Sequence, residues 1–187
     1  MTLLEIACAV FDRAEKLEVP HMVVGAIASG AYGIARATRN VDLLVSIDPI
    51  LGIRRLMDDL GDLVAFEHQA QFDTITWGRR WVGRSNSSPP FTVELFELQD
   101  DPFCASEFSR RGLRFVPILN REAWLPTAED VVIQKIRWGR GKDIEDARNV
   151  LAVQGPETLD MAYIENWCAA HETTQRLEDI LASLPPL

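Results

Sequence analysis

Three cysteines, three histidines and two tyrosines in 187 residues are a thin supply of the side chains that close disulfides, ligate soft metals or run triads. Cys8, Cys104 and Cys168 are odd in number, far apart and without a Cys or His at ligand spacing. That argues against a disulfide framework and a structural zinc site, and for free thiols in a reducing compartment. His21, His68 and His171 are equally scattered, so nothing supports a His-based metal site or a catalytic triad. Long apolar runs are missing too. The longest weakly polar stretch, Met22 to Ala35, is interrupted by Gly25, Ser29, Gly30 and Gly33, and is too short and too glycine-rich to span a bilayer. The opening MTLLEIACAV carries Glu5 and no basic leader, which speaks against a secretory signal; a cytoplasmic location with no membrane partner is the expectation. Positive charge is also short: 19 Lys and Arg against 28 Asp and Glu give a net charge of −9, which disfavours bulk nucleic-acid binding.

What is present is the composition of a soluble globular domain, 47% hydrophobic and 25% charged, long enough to bury a sizeable core. Local basic clusters stand out against the acidic whole: Arg79, Arg80 and Arg84; Arg110, Arg111 and Arg114; Lys135, Arg137, Arg140 and Lys142. Such a cluster is more often a solvated face, although it can hold a triphosphate.

Periodicity divides the chain. Leu3, Leu4, Ala7, Val10, Phe11, Ala14 and Leu17 recur at helical spacing and predict an opening helix that ends before Pro20. His21 to Val24 predicts a short strand, AIASGAYG a closely packed helix, and Asn40 to Ile47 a strand with Val41, Leu43, Val45 and Ile47 on one face and Asn40, Asp42, Leu44 and Ser46 on the other. Asp48-Pro49 predicts the start of a helix running to about Leu60. FDTITW alternates like a strand, and WGRRWVGRSNSSPP reads as a hairpin or loop. Phe91 to Leu98 predicts a strand, Asp101-Pro102 a helix to about Arg110, and Leu113 to Leu119 another strand. From Leu125 the texture is helical, with helices opening at Pro126-Thr127, running from Asp143 to Val153, and lying around 161–170 and 174–184. The expected architecture is α/β: a mixed sheet flanked by helices over residues 1–120, with a helical region over 121–187 packed on it.

The informative stretch is residues 23–45, VVGAIASGAYGIARATRNVDLLV. A strand ends at a glycine, the chain turns into a short helix, and a second strand carries Asp42 among aliphatics. A carboxylate there is costly to bury unless it faces a cleft or a cation. Glu94 repeats the pattern on a later strand. If the two strands are neighbours, both acids emerge on one face and offer the oxygen ligands of a hard cation such as Mg²⁺. Plainer readings stand beside this one. Asp42 could cap an element or pair with Arg36 or Arg39, and Glu94 could lie on an exposed strand face. Arg36 and Thr38 could be turn residues, Lys135 a solvated lysine, and Asp143 the N-cap of its helix. Trp77 and Trp81 could stack a base but more often pack a hairpin.

These residues resemble the nucleotidyltransferase superfamily related to DNA polymerase β, in particular its minimal and AbiEii-like branches. Gly25-Ala26 stands at the glycine turn, Arg36-Ala37-Thr38 matches an Arg-x-Thr segment, Asn40-Val41-Asp42 takes the place of Asp-x-Asp, and Glu94 that of the third acid. TAEDVVIQKIRWGRGKDIEDARNV, residues 127–150, is similar to the AbiEii-type segment, with Lys135, Lys142, Asp143 and Asp146 at the matching positions. The resemblance implies a Mg²⁺-dependent transfer of NMP from an NTP to a hydroxyl of RNA, protein or a small molecule. Asn40, Asp42 and Glu94 would hold the metal; Asp42, Glu94, Lys135 and Asp143 would carry the chemistry. Gly25, Ala26, Ser29, Arg36, Thr38 and Lys142 would bind the nucleotide. It further implies a bacterial toxin–antitoxin or phage-defence setting with an antitoxin or other protein partner. Two departures favour an alternative, a weakened or inactive relative that binds nucleotide or protein. Asn40 removes a negative charge from the metal site, and Ala26 lacks the hydroxyl of the family's Gly-Ser, for which Ser29 one turn later is the candidate substitute.

Overall fold

The structure, a computed structural model, describes residues 1–48, 52–74 and 78–184. Helix α1 (Leu3–Lys16) is fixed at its start by a capping box between Thr2 and Glu5; of the stripe predicted from spacing it buries Ala7, Val10, Phe11 and Ala14, with Ile6 in addition, while Leu3, Leu4 and Leu17 are partly buried. Strand β1 (His21–Val23) leads through Val24 into α2 (Gly25–Tyr32), and β2 (Asn40–Val45) follows. Ile47 lies beyond the strand end and is half exposed, so it does not extend the buried face. Helix α3 (Ile53–Asp59) starts from Gly52 rather than from Asp48-Pro49. Pro49 itself lies outside the described residues, as do residues 75–77, the second half of the FDTITW stretch.

Strands β3 (Val64–Phe66), β4 (Gln71–Phe72), β5 (Arg79–Ser85) and β6 (Thr92–Glu97) complete a mixed sheet of order β1-β2-β6-β5-β3, with β4 also paired to β5. The expected hairpin or loop after residue 77 is therefore a central strand. Its arginines disguise it: Trp81 and Val82 are buried although Arg79, Arg80 and Arg84 flank them. Gly83 suits the strand because a Cβ there would stand 2.4 Å from Val64 Cγ1. All pairings are antiparallel except β2 with β6, which run parallel in the register Asn40↔Thr92, Asp42↔Glu94, Leu44↔Phe96.

The two faces of that parallel pair have different fates. Val41, Leu43, Val45, Val93 and Leu95 are fully buried in the main core with α1. Leu44, on the other face, joins Met22 and Phe108 in a small second cluster that Phe96 covers. Helix α4 (Pro102–Arg110), capped by Asp101, comes next. Strand β7 (Gly112–Val116) then pairs with β8 (Arg121–Leu125) in a separate two-stranded antiparallel sheet; β8 was not predicted. Thr127 and Asp130 form the capping box of α5 (Ala128–Trp138), which stops at Gly139 in the left-handed region. Helices α6 (Gly141–Gln154), α7 (Met161–Ala170) and α8 (Thr174–Ala182) follow, and α5 and α6 pack against each other and against α2. No helix among the described residues is long and apolar enough to cross a membrane.

Candidate active site

Parallel register sets Asp42 and Glu94 directly side by side, on the face of the sheet left open by the aliphatic core. The turn before α2 brings the third element in. Val24 N–H donates to the Asp42 carbonyl at 2.9 Å, and Gly25 then takes φ +65° to enter the helix. A Cβ at Gly25 would stand 2.0 Å from Asp42 Oδ2, so the residue is glycine for two reasons, backbone and space. The carboxylate of Asp42 rests on the start of α2, where the first N–H groups have no partner within the helix.

Together these residues line a hollow of about 410 Å³. Asp42, Glu94, Lys135 and Asp143 all reach it, as do Gly25, Ala26, Arg36, Thr38, Asn40 and Lys142. Ser29 does not. It is buried, and its hydroxyl donates to the Ala26 carbonyl of its own helix, so the proposed substitute for a Gly-Ser hydroxyl is turned away. Arg80, Trp138 and Arg140 line the hollow without having been singled out as site residues. Arg80 and Arg140 belonged to recognisable basic clusters, whereas Trp138, three residues after Lys135, carried no signal beyond helical spacing. Six basic side chains against three acidic ones face this space on a chain of net charge −9.

The acids differ in environment. Asp42 is 9% exposed, and its Oδ1 has no hydrogen-bond partner among the described residues. Burial first, and the neighbouring Glu94 charge second, push its carboxyl from the ordinary 3.8 up to about 7. Lys135, Lys142 and Arg80 pull the other way without reversing it. It pairs with neither Arg36 nor Arg39. Glu94 has a loose partner, Arg80 Nη1 at 3.5 Å.

Behind the hollow lies a closed ionic network. Lys135 is not a solvated lysine: it is 4% exposed, with Nζ 2.7 Å from Asp146 Oδ2 and 3.3 Å from Asp143 Oδ1. Asp143 is fully buried and also accepts from Arg140. It occupies the third position of α6 instead of the N-cap, which is Arg140. Arg36 is committed to Asp146 through two hydrogen bonds of 2.7 and 2.9 Å, so its guanidinium is a clamp between the loop after α2 and α6. Burial raises the Asp146 carboxyl, but the bonds from Arg36 and Lys135 outweigh it and leave the group below its ordinary value. Thr38 accepts from Asn40 N–H at 3.1 Å and shapes the start of β2. Trp81 packs instead of stacking a base: its Nε1 donates to Glu97 at 2.9 Å and Arg54 covers its ring. Trp77 lies outside the described residues.

The donors fit a hard cation in one respect. Two adjacent carboxylates, one with an unpartnered buried oxygen, sit beside the neutral amide of Asn40. No group of three His, Cys, Asp or Glu among the described residues is arranged to hold a metal. One or two carboxylates completed by substrate phosphates and water is the usual protein share of a Mg²⁺ site.

No protein-family model matches the chain, and comparison with curated proteins finds no match. Solved structures do. The antibiotic-resistance factor ANT(2'')-Ia, in complex with adenylyl-2''-tobramycin, superposes with a TM-score of 0.65 at 13% identity, over 94% of this chain and 99% of that one. An antigenic nucleotidyltransferase-like protein from Paracoccidioides brasiliensis gives 0.56 at 18% identity, over 98% and 94%. A putative nucleotidyltransferase from Thermotoga maritima gives 0.55 at 14%, over 79% and 91%. Likeness at these identities carries the fold, and the chain has the nucleotidyltransferase-like fold.

Proposed function

We propose that the chain is a nucleotidyltransferase that binds an NTP in the hollow and moves its NMP unit to a hydroxyl. The observation that carries this reading is the Asp42 carboxylate, buried, unpartnered at Oδ1 and in register with Glu94, on the floor of a hollow whose walls are mainly cationic. An isolated like-charged pair is unfavourable by itself and is relieved by a divalent cation. Asp42 and Glu94 would hold Mg²⁺, with Asn40 adding a neutral oxygen; bound there, the ion would neutralise the triphosphate and polarise the reacting phosphate.

The chain's own groups have separate tasks. The N–H groups at the start of α2, freed by Gly25, receive phosphate oxygens. Arg39 and Lys142, both exposed at the hollow and without an ion pair among the described residues, add charge at the rim. Lys135, Asp143, Asp146 and Arg36 hold α5, α6 and the loop after α2 in place around the substrate. In the transfer, the acceptor oxygen bonds to the α-phosphorus, the bond to pyrophosphate breaks, and pyrophosphate leaves with the electron pair. The hydroxyl proton leaves the acceptor to solvent at the open mouth of the hollow. The similarity of residues 127–150 to the AbiEii-type segment extends this reading to a toxin–antitoxin setting with an antitoxin partner.

The test is transfer of label from each of the four α-³²P NTPs with Mg²⁺ to the protein itself, to total RNA and to small hydroxylated acceptors. Asp42→Ala is the control. Label that depends on Asp42 supports the reading; no label on any acceptor with any NTP counts against it. A second reading, a nucleotide-binding relative with weakened catalysis, is favoured by Asn40. Nucleotide binding without transfer, with transfer switched on by Asn40→Asp, decides for it.

A further inference from the structure

Beside the hollow, between α2, β2, β6, α4 and α5, lies a second cavity of about 60 Å³. It shares Gly25, Lys135 and Trp138 with the hollow, so the two are immediate neighbours. Its walls are apolar: Leu44, Val131 and the rings of Phe96 and Trp138, whose centroids are 5.8 Å apart. Space of this size takes roughly four or five waters, the bulk of one heteroaromatic ring system.

Arg79, Glu97, Asp101 and Lys135 also line it and are engaged in hydrogen bonds or ion pairs, whereas two other polar atoms are unused. Gln134 Oε1 and Trp138 Nε1 are buried and have no hydrogen-bond partner among the described residues. They belong to residues four apart on α5, hence on one face of the helix. Glu107, 4% exposed, adds a carboxyl that burial and then the Asp130 charge hold well above its ordinary range. Folding leaves buried hydrogen bonds unmade only at a cost, and an unpartnered acceptor and an unpartnered donor one helical turn apart suit a ligand that carries the converse pair.

Resting on the nucleotide reading above, we infer that this cavity is a nucleobase site, in which a planar ring lies against Phe96 and Trp138 and presents an acceptor to Trp138 Nε1 and an N–H to Gln134 Oε1. Every common base carries an acceptor and an N–H donor on neighbouring atoms of one edge, so the site takes a base as a class. The base can belong to the donor NTP, whose phosphates occupy the adjoining hollow, or to a nucleic-acid acceptor.

Calorimetric titration of the full chain with uridine, cytidine, adenosine and guanosine, and separately with Mg²⁺ and tripolyphosphate, tests this. At least one nucleoside should bind. Gln134→Leu and Trp138→Phe should each weaken that nucleoside about tenfold, the usual worth of one buried hydrogen bond. Gln134→Leu should keep tripolyphosphate binding. Because each variant removes an orphaned polar atom, the melting temperature of the free protein should hold or rise, which a merely structural role would not give. Displacement of the nucleoside by NTP assigns the site to the donor base; simultaneous binding assigns it to the acceptor. Tripolyphosphate binding with no nucleoside binding, or variants that bind nucleoside as the parent does, overturns the site and leaves the nucleotide reading standing. Failure of tripolyphosphate to bind overturns both.

Discussion

Asp42→Asn should make the free protein more stable above neutral pH while removing its response to divalent cations. The native carboxyl sits at about 7 and the unfolded one near 3.8. The folded chain therefore holds a proton that the unfolded chain has released between those values, and stability falls as pH rises through that window. Below the unfolded value the native state gains the full benefit of a neutral Asp42; above about 7 the benefit is gone. The interval from 3.8 to about 7, at about 1.4 kcal/mol per pH unit, makes some 4 kcal/mol. For a chain of this size that corresponds to a fall in melting temperature of about 10 °C. His21 and His171 act in the opposite sense. Burial lowers both, so they favour the folded state as pH rises and mask part of the trend. The difference between parent and Asp42→Asn cancels them. Thermal unfolding at pH 5, 6, 7 and 8 should show the variant gaining on the parent as pH rises. Mg²⁺ should restore the parent at pH 8 and leave the variant unmoved. A parent and variant whose difference is flat from pH 5 to 8 would refute the reasoning, because Asp42 would then be neither buried against Glu94 nor short of a partner.

Gly25→Ala meets both a left-handed backbone and the Asp42 carboxylate, and should cost at least about 2 kcal/mol in urea unfolding. The double variant Gly25→Ala with Asp42→Gly should recover part of that loss, since the steric part disappears. Lys135→Met leaves Asp143 and Asp146 each short of one partner in a buried site, and about 3–5 kcal/mol should be lost in the same assay. Asn40→Asp should tighten Mn²⁺ binding followed by electron paramagnetic resonance, and in the absence of metal should lower the melting temperature above pH 7 by adding a third like charge.

Much of the local structure was legible because local chemistry decides it. The α1 stripe, the Asp101-Pro102 and Thr127 starts, and the period-two strand around Glu94 are each settled within a few residues by caps, proline and alternation. Asp48-Pro49 misled because a cap signal acts only where the chain turns at that point; here the turn falls at Gly52, whose position leaves no room for a Cβ against the Asp48 backbone. Strand β5 was hidden because its arginines are long enough to reach solvent or the hollow while Trp81 and Val82 are buried, so its burial depends on strand partners 8 to 21 residues away.

By itself the sequence marked the candidate residues: an acid inside an aliphatic strand, a glycine before a short helix, and a second acid on a strand of the same pattern. Tertiary structure alone decided that β2 and β6 run parallel in a register that sets residue 42 beside 94, and that the lysine of α5 is locked between two aspartates of α6. It also decided that Ser29 turns inward and that an apolar slot opens beside the charged hollow. The physical reason is range: propensity and capping act over one turn or one pleat, whereas the register of residue 42 with 94 and the Arg36–Asp146 clamp join segments about 50 and 110 residues apart, and the lock on Lys135 needs two separate helices to pack, which no local pattern encodes.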